Sequence, residues 1–213
     1  MKTKFKYWLS EFGLFPKLDL FRRLPEIVHW IASGCSGTAP PPVKRMIISS
    51  YLKRFDLSHF IETGTHLGDT LANIAYNRSV TCTSIELSDE YFHKASQRFR
   101  RYPNVVLKHG DSAAVLPEYI HGLQAPTLFW LDGHYSGGNT ACGQVETPVS
   151  TELQAILDSP IKTHVILIDD ARCFNGTNTY PYLDMLLQTI RQSANYNIEV
   201  SADIIRLTPK IIS

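Results

Sequence analysis

Residues 59–69, His-Phe-Ile-Glu-Thr-Gly-Thr-His-Leu-Gly-Asp, constrain the fold of this chain more than any other stretch. An apolar run ends in an acid, passes through a turn with glycines at 64 and 68, and opens into a helical pattern. A strand that turns through glycine straight into a helix is the opening unit of an open α/β sheet, and it aims backbone N–H groups at a ligand. The acid before the first glycine narrows that ligand. A carboxylate at the strand tip would repel a pyrophosphate and hold a group carrying positive charge.

From Lys44 onward, strand-like and helical patterns alternate. The patterns predict strands over 60–62, 81–86, 105–109, 127–131 and 165–168. They predict helices over 44–55, 69–76, 89–101, 111–120, 148–157 and 182–193, with Ser88 as a cap. Short apolar strands separated by helices imply parallel pairing with both faces covered. Two last runs, 198–200 and 204–207, flank Ser201-Ala202-Asp203 and predict a hairpin, with one antiparallel strand at an edge.

The 213 residues suit one domain of ordinary size, and 44% apolar against 19% charged is a globular composition. A net charge of +1 argues against a chain built to neutralise nucleic-acid phosphates, so no nucleic-acid partner is expected. Cys35, Cys82, Cys142 and Cys173 show no C-x-x-C spacing, which leaves a zinc site or disulfide framework unsupported and points to reduced thiols in the cytoplasm. The start carries Lys2, Lys4 and Lys6 but no signal-peptide core, and polar residues and Pro16 break its apolar run too often for a membrane span. Residues 1–42 are expected to be a helical extension cut by Pro16 and Pro25, followed by a linker whose Pro40-Pro41-Pro42 is a stiff spacer. A cap on the main domain or a homodimer element is the favoured role, with peripheral membrane contact as the alternative.

Each of the five parallel strands ends in a carboxylate or is followed at once by one: Glu62, Glu86, Asp111, Asp132 and the pair Asp169-Asp170. Ligands of open α/β sheets bind beyond the carboxyl ends of the strands, so acids gathered there read as a binding edge. For Asp111, just before a helix, an N-cap role is an equal alternative.

Taken together, the residues resemble class I methyltransferases that use S-adenosylmethionine (SAM), over roughly 60–210. Residues 62–68 are similar to their first motif, with His66 in place of a common middle glycine. The resemblance implies a Rossmann-like, doubly wound, mostly parallel sheet with a C-terminal antiparallel hairpin strand, behind the N-terminal helical extension. On that reading 43–213 is the SAM-binding domain. It implies that Gly64, Thr65 and Gly68 line the methionyl part, that Glu62 lies near its ammonium group, and that Glu86 accepts both ribose hydroxyls. Asp111 and Ser112 then meet the adenine edge.

Two segments bear on the chemistry. Phe129-Trp130-Leu131-Asp132-Gly133-His134 and Ile166-Leu167-Ile168-Asp169-Asp170 end adjacent strands and bring three carboxylates together. Such a cluster calls for a cation, and a hard divalent ion, Mg²⁺ by default, suits it. The pattern resembles the metal-dependent O-methyltransferases of the catechol and macrolide-sugar types. That resemblance implies Asp132, Asp169 and Asp170 as metal ligands, with Asp132 also catalytic, and a small-molecule or sugar hydroxyl as acceptor. His134 is the first candidate for general base, with a local hydrogen-bonding role at even weight. Residues 136–148 are expected to form a substrate lid and 174–180 its opposite rim. His66, His109 and His164 read as structural. The rival readings are an NAD-dependent oxidoreductase, disfavoured by the missing G-x-G-x-x-G and by Glu62 before the turn, a metal-dependent glycosyl or nucleotidyl transferase, and a non-catalytic SAM-binding module, disfavoured by the intact carboxylates after strands four and five.

Overall fold

The computed structural model describes residues 14–133, 148–193 and 195–210. One sheet of seven strands runs through them: β1 (His59–Thr63), β2 (Thr81–Glu86), β3 (Val105–His109), β4 (Leu128–Leu131), β5 (Val165–Ile168), β6 (Tyr196–Ser201) and β7 (Ile204–Pro209). The helices are α1 (Leu14–Arg22), α2 (Leu24–Ala32), α3 (Pro41–Arg54), α4 (Asp69–Ala75), α5 (Asp89–Phe99), α6 (Ser112–Ile120), α7 (Val149–Asp158) and α8 (Leu183–Gln192). The strand order is β3-β2-β1-β4-β5-β7-β6. The first five strands pair in parallel, so the carboxyl ends of β1 and β4 lie side by side where the chain reverses its direction of travel across the sheet. That is the place where open α/β sheets bind ligands.

Strand alternation divides the core into two layers. Phe60, Cys82, Trp130 and Leu167 pack on one face, against Ile48 and Leu52 of α3, Leu71 of α4 and Phe99 of α5. Ile61, Ile85, Phe129 and Ile168 face the other way, against Leu116 of α6, Leu153 and Ile156 of α7 and Ile190 of α8. The strand-tip loops between these layers are therefore held by rigid elements on both sides.

Two expectations are corrected. The antiparallel strand is β7, and it is not at the edge: it pairs with β5 on one side and with β6 on the other. After α8, β6 is laid down at the edge, and a turn of only Ala202 and Asp203 folds β7 back into the gap beside β5. Both turn residues have positive φ, +54° and +64°, the left-handed pair whose twist suits a two-residue hairpin. The second correction concerns the prolines. Pro41 and Pro42 are not a spacer but the first turn of α3, capped by Pro40. N–H groups in a first helical turn lack intrahelical partners, so proline loses nothing there. Val43 and Lys44 then donate their N–H groups to the Pro40 carbonyl at 2.8 and 3.1 Å.

An ion pair ties α1 to α3. The buried Asp19 is ion-paired with Arg22 (2.9 Å), with Arg23 (3.7 Å) and with Arg45 of α3. Leu18, Phe21, Val28 and Ile31 on α1 and α2 are exposed. Among the described residues, no helix is long and apolar enough to cross a membrane.

Candidate functional site

The β1–α4 turn is built around left-handed residues: Gly64 (φ +83°), His66 (+48°) and Gly68 (+71°). Only glycine fits at 64, because a Cβ there would lie 2.5 Å from the carbonyl oxygen of Asp132. The first glycine thus locks the tips of β1 and β4 together. His66 adopts the left-handed conformation with a side chain, and its N–H donates to Glu86 Oε2 at 2.7 Å. The other oxygen of Glu86 accepts the Ser88 N–H at 2.8 Å. Glu86, buried at the tip of β2, therefore holds the turn and the start of α5, and each oxygen keeps a lone pair for a further donor.

Glu62 lies one layer deeper, 1% exposed. Ser84 donates its hydroxyl to Glu62 at 2.7 Å and also lies 2.5 Å from the Thr65 hydroxyl. Burial pushes the Glu62 carboxyl up to about 8, against the Ser84 hydrogen bond, with the charges of Asp132 and Glu86 adding to the rise. Arg98 secures the far end of the turn, donating to Asp69 at 2.7 Å and to the Leu67 carbonyl. Asp111 caps α6 by accepting the Ala113 N–H at 2.9 Å, which is the local role weighed for it. Ser112 is buried behind it, against Gly133.

On the other side of the β1–β4 seam, Asp132, Asp169 and Asp170 come together as expected. One carboxylate oxygen from each lies within 4.8 Å of the others. Asp170 is left-handed (φ +56°), which turns the chain sharply after β5, and its N–H donates to Asp169 Oδ1 at 2.8 Å. A residue overlooked in the sequence completes the group. Lys44, on the first turns of α3, donates to both oxygens of Asp169 at 2.6 and 2.7 Å and lies 3.4 Å from Asp170. Burial opposes its charge, but Asp169, Asp170 and Asp132 outweigh burial, so its pKa rises above the ordinary lysine value. Burial and the neighbouring Asp132 push Asp169 up to about 7, although Lys44 pulls the other way. Arg172 donates to Asp170 at 2.8 Å and to Asp203 on the β6–β7 turn. The hairpin thereby buttresses the cluster, and Thr38 bonds the same Asp203 at 2.8 Å.

Glu152 of α7 was also missed. It is 1% exposed, and among the described residues neither carboxylate oxygen has a hydrogen-bond partner of full geometry. Burial drives its carboxyl up to about 7, with the Ser112 and Thr63 hydroxyls near enough to moderate the rise and Asp111 and Asp132 adding to it. Glu152 lines a small cavity together with Asp132, Gly133, Asp169 and Tyr180. Tyr180 belongs to the expected rim.

A hard divalent cation fits this donor set: three carboxylates at one point, and a fourth, orphaned carboxylate on the same cavity. The SAM readings of Glu86, Gly64 and Asp111 fall on one continuous edge beside it. His134 and residues 136–147 of the expected lid lie outside the described residues. His164 is buried at the opposite end of β5, where it accepts the Thr127 N–H at 3.1 Å and burial lowers it to about 4. Lys162 donates to the Leu157 carbonyl at 2.7 Å. Both are structural.

No family model matches the sequence, and no curated protein matches it. Solved structures do. The O-methyltransferase of Bacillus cereus with bound SAH superposes with a TM-score of 0.61 at 13% identity, over 89% of this chain and 91% of that one. The fold is that of the Rossmann-like methyltransferases. A Podospora anserina methyltransferase with SAH gives 0.59 at 15% identity, over 80% of each chain. TomG of Streptomyces achromogenes, an O-methyltransferase of tomaymycin synthesis with SAM, gives 0.56 at 13% identity, over 80% of this chain and 81% of that one.

Proposed function

We propose that this chain transfers the methyl group of SAM to a hydroxyl oxygen of a small-molecule or sugar acceptor, with Mg²⁺ at the aspartate cluster. The observation that carries the reading is the juxtaposition of Asp132, Asp169 and Asp170 with the Gly64 turn at the switch point of a methyltransferase fold. The solved O-methyltransferases of the same fold that hold SAM or SAH support the cofactor.

In this reading Glu86 takes the ribose hydroxyls with the lone pairs its backbone donors leave free. Asp111 and Ser112 border the adenine, and the turn from Gly64 to Gly68 frames the methionyl part. Glu62, buried and raised to about 8, stays largely protonated at neutral pH, so in this reading it fixes the turn from beneath instead of pairing with the ammonium group that the resemblance implied. Asp132, Asp169 and Asp170 would hold the metal, which supplies a lowered acceptor pKa and a fixed acceptor oxygen. His134, two residues beyond Asp132, is the proposed proton acceptor. The sulfonium methyl is already electrophilic, so orientation and deprotonation are what the protein has to add.

Calorimetric titration with SAM, SAH and NAD, each with and without Mg²⁺, tests the proposal. Micromolar binding of both adenosyl ligands and none of NAD is the expected result. Binding of NAD alone, or of none of the three, would overturn it.

A further inference from the structure

We infer that Lys44 and a divalent cation take the same place on the aspartate cluster, so that the chain carries its own removable cation there. The inference rests on the cluster being the cation site proposed above. Three observations lead to it. The Lys44 ammonium bridges both oxygens of Asp169 at 2.6 and 2.7 Å and reaches Asp170 at 3.4 Å, so it sits on the side where these carboxylates converge. A divalent ion of Mg²⁺ size bonds carboxylate oxygens at about 2.0–2.1 Å. Bound to those same oxygens, it would lie roughly within van der Waals distance of the ammonium, where two cations repel strongly.

Occupancy is therefore exclusive. The second observation is that the cluster needs a cation in either state. Asp132, Asp169 and Asp170 converge within 4.8 Å, and Lys44 and Arg172 both place their charge on this cluster. The third is that the same cavity holds the orphaned Glu152 carboxylate, which no cation of the described chain reaches. The lysine reaches Asp169 and Asp170 by hydrogen-bond distance, whereas a multivalent ion with bound waters can bond three converging carboxylates at once.

The lysine is also suited to leave. Its side chain is 13% exposed rather than sealed, and four methylenes let the ammonium swing towards solvent while α3 stays in place. Displaced, it remains tethered at the mouth of the site. The metal affinity of the chain is then set by a competitor on α3 and not by the carboxylates alone.

Two measurements on the full chain test this, with Mn²⁺ as the probe. In the first, Lys44→Gln binds Mn²⁺ at least tenfold more tightly than the wild type by calorimetry, and Mn²⁺ raises its melting temperature by more. The second needs no variant, so it stands even if Lys44→Gln fails to fold. Acetylation of wild-type lysines is read by mass spectrometry, and saturating Mn²⁺ speeds modification of Lys44 while leaving the exposed Lys53 unchanged. Equal Mn²⁺ affinity in the two proteins, no Mn²⁺ binding by either, or Lys44 acetylation indifferent to Mn²⁺ would each overturn the inference. SAM binding on the same samples, measured without metal, reports separately on the methyltransferase reading.

Discussion

The two halves of the strand-tip edge carry similar numbers of acids and treat them in opposite ways. On the β1–β3 side, neutral donors satisfy Glu62, Glu86 and Asp111: a serine hydroxyl, and the backbone N–H groups of His66, Ser88 and Ala113. On the β4–β5 side, Asp169 and Asp170 are held by the cations Lys44 and Arg172. Neutral donors fix an acid without bringing a counter-charge to it, and they belong to the turn itself, so this half is a rigid frame. Side-chain cations can be exchanged for others. The edge thus pairs a preorganised acceptor surface with a charge system of mobile side chains, which is the division the proposed methyl transfer asks for between holding a cofactor and activating an acceptor.

The comparison can be broken in several ways. The largest effect is expected from Asp169→Asn, which should lower methyl-transfer turnover on the order of 10³-fold, about 4 kcal/mol, while SAM affinity stays within about twofold. Steady-state kinetics and calorimetry check this together, and a parallel loss of SAM binding would mean that the halves are not independent. Next is Glu152, whose carboxyl is raised to about 7 by burial. An acid raised in the folded state contributes its stability fully below its ordinary pKa near 4.5 and loses it as pH rises through 7. The loss reaches about 3 kcal/mol by pH 8. Denaturant unfolding at pH 4.5 and 8 should show this drop in the wild type and a smaller one in Glu152→Gln.

Glu86→Ala should weaken SAM binding by about 2–3 kcal/mol, because two ribose hydroxyls lose a charged acceptor and the His66 N–H loses its anchor. Unchanged SAM affinity would remove Glu86 from the cofactor site. The smallest effect belongs to Ser84→Ala. Loss of the hydroxyl that serves Glu62 should cost about 1 kcal/mol of stability, seen as a melting shift of a few degrees, with SAM affinity within about threefold. A large loss of SAM binding in that variant would show that Glu62 meets the ligand directly.

The frame was largely legible in the sequence and the charge system only half so. Strands β2, β3 and β5 fall on their predicted residues, because apolar runs bounded by turns and acids are local signals. The glycines at 64 and 68 announced their turn for the same reason. Lys44 could not be found that way. Its partner Asp169 is 125 residues distant, and a lysine on an amphipathic helix looks like an ordinary solvated residue. The one available hint was charge balance: three converging acids demand a cation, but sequence does not say which. Glu152 hid because an acid in the first turn of a helix is favourable at a surface, and only the packing of α7 against the sheet buries it. The place of β7 was missed because a hairpin signal fixes the pairing of two strands with each other but not which of them joins the sheet.

The insertion of β7 has a consequence for how the molecule is made. β7 follows every other described strand in chain order, yet it is the strand that covers β5, whose four residues are all fully buried aliphatics. As the chain leaves the ribosome, β5 waits with one open edge until β6 and β7 have been synthesised. The same late hairpin delivers Asp203 to Arg172. Nascent or truncated chains lacking it would present an apolar strand edge next to an acid cluster without its buttress, a combination prone to self-association and to capture by chaperones.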